Sequence, residues 1–286
     1  MAGADIFTHY RPLLFSIAYR MLGSVADAED ITQDAFIRWN TVPDDEAVAS
    51  PKAYLMTIVT RLCINHLQSA RVQREVYVGP WLPEPLMTEH VPDIANTIEQ
   101  QESLSIAFLV LLETLSPVER AVFLLRDVFD YDYAEIARVV DKSEASCRQM
   151  ARRARQRVAA HHQRFIATPE TSERLAQRFV AACVSGDLPE LLQLLSEEST
   201  LISDGGGKVT AARNPVYGAD RIARMALGIL GKTPADMTPQ PARINGQPGF
   251  IWSLNGKAQG AMAFDIAEDH IRAIYLVVNP DKLRHL

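Results

Sequence analysis

Apolar residues recur at helical spacing through the first quarter of the chain. One apolar stripe runs along a predicted helix over residues 6–22. Its members are Phe7, Leu14, Ala18 and Met21. Ser24 and Ser50 each precede a further helical stretch, at a position where serine is a favoured N-cap. Residues 5–76 are therefore predicted to be helical throughout.

This pattern breaks twice along the chain. Residues 77–97 contain five glycine or proline residues, a density that no helix tolerates. Helices are predicted again from about 98 to 164, with a capping box and an N-terminal proline in the string Ser116-Pro117-Val118-Glu119. A second connector lies near residues 168–171.

The last block has a different pattern. Two predicted helices precede short strand-like runs, and the string Asn255-Gly256 between two of these runs is a strong hairpin signal. The runs lie at residues 200–203, 249–254, 259–266 and 271–278. The fold class is thus multidomain, with two all-α domains followed by an α+β domain. The predicted boundaries are 1–76, a connector at 77–103, 104–166 and 171–286.

Charge is distributed unevenly although the formal net charge is −6. Residues 138–164 carry eight Arg or Lys and two acids, whereas residues 1–137 carry nine basic and twenty acidic side chains. Screening limits the reach of these charges to ~8–10 Å, so the local field decides which partner a segment attracts. The basic segment is predicted to contact nucleic acid. The acidic segment is predicted to meet a basic partner or to stay off DNA.

The basic segment contains a predicted helix-turn-helix at residues 132–157. Its second helix follows a polar turn at residues 141–143 and is predicted to bury Ala145, Met150 and Ala154. Arg and Gln on the opposite side suit the major groove, where they read guanine and adenine edges. A helical hairpin with a solvated basic face is the alternative. The predicted DNA contacts are Ser143, Glu144, Ser146, Arg148, Gln149, Arg152 and Arg153.

This segment resembles region four of bacterial extracytoplasmic-function (ECF) sigma factors, which reads the −35 promoter element. Residues 27–39, DAEDITQDAFIRW, resemble region two, where an acidic and aromatic helix docks on the β′ coiled coil of RNA polymerase. The resemblance implies core polymerase (β′ coiled coil and β flap) and promoter DNA as partners. Acids would supply complementary charge and aromatic residues apolar anchors. The implied polymerase contacts are Asp27, Glu29, Asp30, Gln33, Asp34, Phe36 and Trp39. Taken alone, the acidic cluster would be a solvated helix face.

Residues 51–71 fall where the family melts and reads the −10 element. The resemblance implies that Lys52, Arg61, Asn65 and Arg71 lie near the non-template strand, although core packing or phosphate contact remains open for each. Capture of an unstacked base uses polar edges and apolar walls. The acidic connector resembles the linker that runs through the polymerase between regions two and four.

Beyond residue 166 the chain resembles SnoaL-like domains, which are conical α+β folds related to nuclear transport factor two. Three strings match the sigma-factor group in which such a domain is fused in cis: WLPEP, DGGGK and NPDKL. The resemblance implies a regulatory interdomain site made by Trp81, Leu82, Pro83, Glu84, Pro85, Asp204, Gly205, Gly206, Gly207, Lys208, Asn279, Pro280, Asp281, Lys282 and Leu283. We call residues 81–85 the hook. The prolines of the hook limit the conformational entropy that this segment loses when it docks. A hairpin turn for the glycines and a strand stop for the tail are the alternatives.

The expected function is therefore a cytoplasmic, cis-regulated sigma factor that is a monomer when free, without cofactor, metal or membrane span. Alternatives are a ligand-sensing helix-turn-helix regulator that acts without polymerase, and a SnoaL-type enzyme using Asp204, Asp265 or His270. Whether the C-terminal domain binds an unknown small ligand is left open. Three widely spaced cysteines suggest buried or indifferent thiols in a reducing compartment.

Overall fold

The computed structural model describes residues 3–41, 48, 50–74, 77–88, 103–161, 167–230, 234 and 237–286. Contacts divide the chain into two compact units, which are described separately. The first unit comprises residues 1–76, 93–104 and 108–162, and the second comprises residues 77–92, 105–107 and 163–286.

Apart from the connector at residues 77–88, the described residues from 3 to 161 are mainly helical, as predicted. The helices are α1 (Gly3–Leu22), α2 (Val25–Asn40), α3 (Pro51–Arg74), α4 (Ile106–Leu112), α5 (Pro117–Phe123), α6 (Tyr133–Val140) and α7 (Glu144–His161). A π-helical turn at Leu124–Val128 continues α5.

Serine side chains start three of these helices where the sequence predicts. The hydroxyl of Ser24 accepts a hydrogen bond from the backbone of Asp27 at 3.2 Å, and Ser50 accepts one from Ala53 at 3.3 Å. The box formed by Ser116 and Glu119 has both of its reciprocal hydrogen bonds. Each cap satisfies backbone N–H groups that a helix start leaves without an intrahelical partner.

The first unit joins the two predicted sigma regions around buried side chains. The apolar stripe of α1 is buried, and α3 packs against α1 and α2 and also against α5 and α6. Arg120 of α5, which is 4% exposed, donates to the carbonyl oxygen of Met21 at 2.6 Å and to Glu113 at 2.8 Å. The helices of regions two and four therefore form one compact unit in this structure.

The second unit is the α+β domain that the sequence predicts. Its elements are α8 (Pro169–Ser185), α9 (Leu188–Leu194), β1 (Leu195–Asp204), β2 (Val216–Tyr217), α10 (Ala219–Leu230), β3 (Pro239–Ile244), β4 (Gln247–Leu254), β5 (Lys257–Ala267), β6 (His270–Val277) and a 3₁₀ turn at Pro280–Leu283. The sequence predicts neither β2, β3 nor α10. The six strands form one sheet in the order β2-β1-β6-β5-β4-β3, parallel only between β1 and β6.

Helices α8, α9 and α10 pack on one face of this sheet over an apolar core. The ring of Phe179 in α8 meets Phe264 of β5 edge-on at 5.5 Å between centroids, and Phe250 of β4 meets Phe264 at 6.4 Å. Leu191 and Ile274 are fully buried in the same cluster. This layering of helices on a curved sheet agrees with the SnoaL-like resemblance.

Candidate interaction sites

The acidic face of α2 is the candidate surface for the polymerase. Asp30, Gln33 and Asp34 are exposed along it, and Ile37, one turn after Gln33, is 54% exposed. Exposed acids around an exposed apolar residue can bind a basic partner that also offers apolar contact.

Other predicted polymerase contacts have partners inside the unit. Asp27 lies 3.5 Å from His66, and Glu29 forms an ion pair with Arg11 at 2.5 Å. The ring of Phe36 packs on Phe7 with 4.8 Å between centroids. Trp39 is only 9% exposed and packs near Tyr54, 6.0 Å between centroids. The structure thus corrects the prediction of Trp39 as a partner-facing anchor, because this side chain belongs to the core. Ile37 takes its place as the exposed apolar residue.

Two of the four predicted −10 residues of α3, Arg61 and Lys52, contact the region-four segment. The guanidinium of Arg61 donates to the carbonyl oxygens of Val139 and Arg138, both at 2.9 Å. These carbonyls end α6, where the helix dipole favours a cation. The Lys52 ammonium lies over the ring of Tyr131 at 5.1 Å. Asn65 is exposed, and the side chain of Arg71 lies outside the described residues.

The predicted helix-turn-helix is present as α6 and α7. Asp132 caps α6 in a capping box with Glu135, and Asp141 ends it in the left-handed region at φ +53°. Met150 and Ala154 are buried as predicted, with Cys147 beside them. Ala145 is exposed, so the prediction that it faces inward is wrong. Cys147 occupies the buried position because it lies one turn before Met150 and Ala151 on the helical period.

The predicted −35 residues lie along the outer side of α7. Glu144, Arg148, Gln149, Arg152 and Arg153 are exposed, and Ser146 is half-buried. Ser143 has a structural role as well, since its hydroxyl caps α7 by accepting from the backbone of Ser146 at 3.2 Å. This arrangement presents a polar and basic helix face at the start of α7, as major-groove reading requires.

Acidic side chains hold several of these arginines in place. Arg148 pairs with Glu144 at 2.8 Å and lies over the ring of Tyr133 at 5.2 Å. Arg153 and Arg157 both approach Glu119 of α5, at 3.5 and 3.1 Å. Burial is the largest single influence on the pKa of Glu119 and acts to raise it. Hydrogen bonds from Ser116 and the positive charges of Arg157 and Arg153 outweigh burial, so the net effect is a lowered pKa.

A buried carboxylate in the second unit holds the connector. Asp204, at the end of β1, has no exposed surface. It accepts hydrogen bonds from the hydroxyl of Tyr77 at 2.6 Å, the backbone N–H of Leu82 at 2.8 Å and the ammonium of Lys282 at 2.7 Å. The backbone of Gly206 donates a fourth at 3.0 Å. Burial and the hydrogen bond to Asp204 raise the pKa of Tyr77, so this phenol stays a donor.

Lys282 approaches the connector from the other side. Lys282 as a whole is 6% exposed. Its ammonium donates to the carbonyl oxygen of Leu82 and lies 4.1 Å from the ring centre of Trp81 and 5.2 Å from that of Tyr77. Cation–π contacts strengthen when the cation is desolvated, as it is here. We call Asp204, Asn279 and Lys282 the clamp.

The glycine string and the tail complete the same site. The side-chain amide of Asn279 donates to the Tyr77 hydroxyl at 2.9 Å. Gly206 has φ +58°, and a Cβ there would lie 2.3 Å from the Asn279 amide nitrogen, so only glycine fits. Lys208 forms an exposed ion pair with Asp281. The three strings singled out in the sequence therefore meet at one place, together with Tyr77.

The connector has a second attachment that the sequence analysis missed. Leu86 and Asn245 exchange hydrogen bonds, one to the Asn245 side chain at 2.9 Å and one to the Leu86 carbonyl at 2.8 Å. The backbone of Thr88 donates to Arg243 at 3.0 Å, so residues 86–88 lie along the edge of β3. His285 contacts the carbonyl oxygen of Pro85 at 2.6 Å. We call residues 77–88 the docked connector. Of the hook itself, Leu82, Pro83 and Pro85 are buried and Trp81 and Glu84 are half-buried.

A cavity of about 380 Å³ lies between the sheet and the helices of the second unit. Its described lining contains no charged side chain. Cys183 lines it, and burial raises the pKa of this thiol to about 12. Asp204, Asp265 and His270, the candidates for acid–base chemistry, are not among the described lining residues.

No helix among the described residues has the length and apolar character that crossing a bilayer requires. Cys63, Cys147 and Cys183 are buried thiols.

Comparison with known proteins covers both halves of the chain. The family profile for Sigma-70 region 2 matches residues 6–72, and that for Sigma-70, region 4, matches residues 105–158. The ECF RNA polymerase sigma factor SigJ of Mycobacterium tuberculosis is 36% identical over 96% of this chain and 91% of that protein. The probable ECF RNA polymerase sigma factor SigI of the same organism is 30% identical over 96% and 92%.

The crystal structure of M. tuberculosis SigJ is also similar. It matches with a TM-score of 0.76 and 32% identity, and the match covers 98% of this chain and 97% of that one. The likeness therefore extends through the α+β domain as well as the helical half.

Proposed function

The chain belongs to the ECF RNA polymerase sigma factors, and we propose that its C-terminal domain controls their activity in this protein by holding the connector between regions two and four. As a sigma factor it associates with core RNA polymerase and directs transcription initiation at specific promoters. The proposal rests on the buried pair of Asp204 and Lys282, which holds residues 77–88 on the C-terminal domain. The protein acts in the cytoplasm, where polymerase and promoter DNA are found.

We assign the DNA and polymerase contacts to three helices. The face of α2 with Asp30, Asp34 and Ile37 binds the β′ coiled coil. The α3 stretch with Arg61 and Asn65 contacts the −10 element, and the exposed side of α7 contacts the −35 element. Exposure of these side chains and the basic charge of α7 support the assignment.

The compactness of the first unit supports a closed, resting form. By their numbering, the −35 and −10 elements are centred about 25 base pairs apart, which is ~85 Å of duplex at ~3.4 Å per pair. A compact unit of roughly 140 residues is only ~35–40 Å across. Regions two and four must therefore separate before both elements can be read. In the closed form Arg61 is bound to the end of α6, so its −10 role requires the same opening.

The docked connector limits this opening. Residues 77–88 are twelve of the 27 residues of the predicted connector (77–103). While they are clamped, they cannot follow the path of a sigma linker through the polymerase. If the clamp released residues 77–88, these residues would again be available as part of the linker. The C-terminal domain thereby acts as a brake that the holoenzyme must release.

A reversible crosslink tests the brake. A Cβ on Gly207 would lie 3.0 Å from the Cβ of Val78, slightly closer than the ~3.5–4.5 Å of disulfides. Gly207 has φ +72°, so a cysteine there carries backbone strain. A shift of about 0.5 Å brings the two Cβ atoms into the disulfide range, and the double variant Val78→Cys/Gly207→Cys should then form a bridge that locks the connector. We expect at least tenfold less run-off transcript from the oxidised protein with core polymerase than from the same protein after reduction.

The single variant Val78→Cys under the same oxidant is the matched control, since Cys63, Cys147 and Cys183 are buried. In the opposite direction, deletion of residues 279–286 should raise the output. Equal transcription from locked and reduced protein, with the disulfide verified by mass, would contradict the brake. Failure of the reduced protein to co-purify with core polymerase would contradict the wider assignment.

Loss of the Arg61 contacts should open the first unit. Arg61→Ala removes two hydrogen bonds between α3 and the end of α6, which are together worth about 1–2 kcal/mol at this partly exposed site. With spin labels at the exposed positions Asn40 and Gln156, we expect a longer and broader distance distribution than in the parent. Arg11→Ala, which breaks the exposed pair with Glu29, should leave the distribution unchanged. Identical distributions for both variants would exclude Arg61 as a latch.

Two other functions have less support. A regulator that acts without polymerase has no need of the acidic α2 face, and it would shift promoter DNA alone without joining core enzyme. An acid–base enzyme would need titratable groups converging on the cavity. Asp204 is instead part of the clamp, where it accepts a hydrogen bond from Lys282, and Asp265 and His270 are not among the described lining residues.

A further inference from the structure

The cavity of the C-terminal domain has the chemistry of a site for an uncharged molecule. Its volume of about 380 Å³ falls in the ~300–1,000 Å³ range of small-molecule sites. The described walls are mainly aliphatic, aromatic and thioether groups, including Met225, Met237 and Met262, with the hydroxyl residues Ser203 and Thr210 and the thiol of Cys183 among them. Methionine side chains adapt to ligands of different shape. A charged ligand would lose its hydration there without gaining a described counter-ion.

The same cavity shares two strand ends with the clamp. Ser203 lines the cavity, and Asp204, the next residue, holds the connector. Val278 lines the cavity, and Asn279, the next residue, donates to Tyr77. The two ends are also joined, because the carbonyl oxygen of Asp204 accepts from the backbone N–H groups of both Val278 and Asn279 at 2.9 Å.

A third connection between the cavity and the clamp runs through the glycine turn at residues 205–208. The hydroxyl of Ser203 accepts from the backbone of Ala212 at 2.9 Å, and residues 210–212 line the cavity. Residues 205–208, between these two segments, pack against Asn279 and Val78 of the clamp site. Any shift of the cavity wall at residues 203 or 212 therefore displaces the groups that hold the connector.

We infer that an uncharged, apolar molecule of two or three rings binds in this cavity and tightens the grip of the clamp on the connector. The cavity is formed in the docked state, and a ligand that fits this state stabilises it relative to the released one. Coupling of this kind is reciprocal, so an intact clamp must also strengthen ligand binding. The regulatory consequence rests on the proposed brake, but the coupling itself does not require polymerase.

Binding is tested with a matched pair of probes on the full chain. N-phenyl-1-naphthylamine is uncharged, and 8-anilino-1-naphthalenesulfonate carries the same rings with an anionic group. We expect saturable binding of the uncharged probe, at least tenfold tighter than that of the anionic one, with energy transfer from Trp252 in the cavity wall.

Substitutions in the cavity wall test whether the probe binds in this cavity. Val180→Trp fills the cavity and should weaken the uncharged probe at least tenfold, whereas Val184→Trp, at a position that is 65% exposed one turn later, should not. Ala226→Leu is a milder cavity-filling variant in case the first fails to fold. Equal probe binding by folded Val180→Trp or Ala226→Leu and by the control would overturn the site.

Coupling is tested by hydrogen exchange of the peptide that contains Leu82 and Leu86. The uncharged probe should slow exchange of these amides at least threefold, and Asn279→Ala should weaken the probe by a similar factor. Bound probe with unchanged exchange would overturn the coupling. If the brake proposal is wrong, only the run-off transcription assay will show it. A failure of the brake proposal can therefore be distinguished from a failure of the coupling proposal.

Discussion

Replacement of Asp204 by asparagine is expected to lower the free energy of unfolding of the C-terminal domain by about 3–5 kcal/mol. The change leaves the ammonium of Lys282, a residue that is 6% exposed, without its carboxylate in a buried site. The amide nitrogen of asparagine would also face either the Leu82 N–H or the Tyr77 hydroxyl, both of which donate to Asp204 in the parent. Hydrogen exchange of β1 and β6 peptides across a urea series measures the loss.

The exposed pair between Lys208 and Asp281 provides the matched control. Asp281→Asn should change stability by no more than about 1 kcal/mol, because solvent screens this pair. The double variant Asp204→Leu/Lys282→Met should recover part of the loss, since removal of both buried charges is less costly than removal of one. If Asp204→Asn and Asp281→Asn destabilise equally, the clamp is not a buried ion pair.

Replacement of Arg148 by alanine is expected to weaken binding of the cognate −35 sequence by about 1–3 kcal/mol, which is roughly 5- to 150-fold. Arg148 lies near the start of α7, where a recognition helix meets base edges, and Glu144 and Tyr133 already hold its guanidinium. The loss should vanish on a promoter with a scrambled −35 element. Titration of holoenzyme onto both promoters by fluorescence anisotropy measures it.

Arg152→Ala is the comparison on the same helix. Arg152 lies one turn further along α7, where phosphate contacts are expected, so this variant should weaken both promoters alike and lower the salt dependence of binding by about one counter-ion. Equal, sequence-independent losses for both variants would contradict the assignment of Arg148 as a base reader.

Local signals in the sequence were sufficient for most elements. The caps at Ser24 and Ser116 and the hairpin at Asn255-Gly256 depend on residues within four positions of one another, and all are present. Strand β3 was not predicted because it contains two prolines and lies at the edge of the sheet, where apolar and polar residues alternate only weakly. The Asn245-Gly246 turn beside β3 carries the same hairpin signal and would have revealed it.

The sites depend more strongly on contacts that are distant in sequence. Three strings predicted a common site, and they meet around Asp204. The participation of Tyr77, Asn245 and His285 has no local signal, because their partners lie more than 100 residues away. The error over Trp39 has a different origin. An aromatic residue on an amphipathic helix serves a core or a partner equally well in sequence, and only burial distinguishes the two.

The order in which the chain is synthesised gives the clamp a temporal consequence. Lys282 is added 200 residues after Leu82, and the parallel partner of β1 is the last strand of the sheet. At ~5–20 residues per second, about 10–40 s pass between these two residues. Region four is complete only at residue 158. For the last ~124 residues before Lys282, which take roughly 6–25 s at that rate, the nascent chain therefore contains both promoter-reading regions but no completed restraint on its connector. Each newly made molecule thus has a short period in which polymerase can capture it before self-inhibition is established, and slower translation of the last 80 or so codons would lengthen that period.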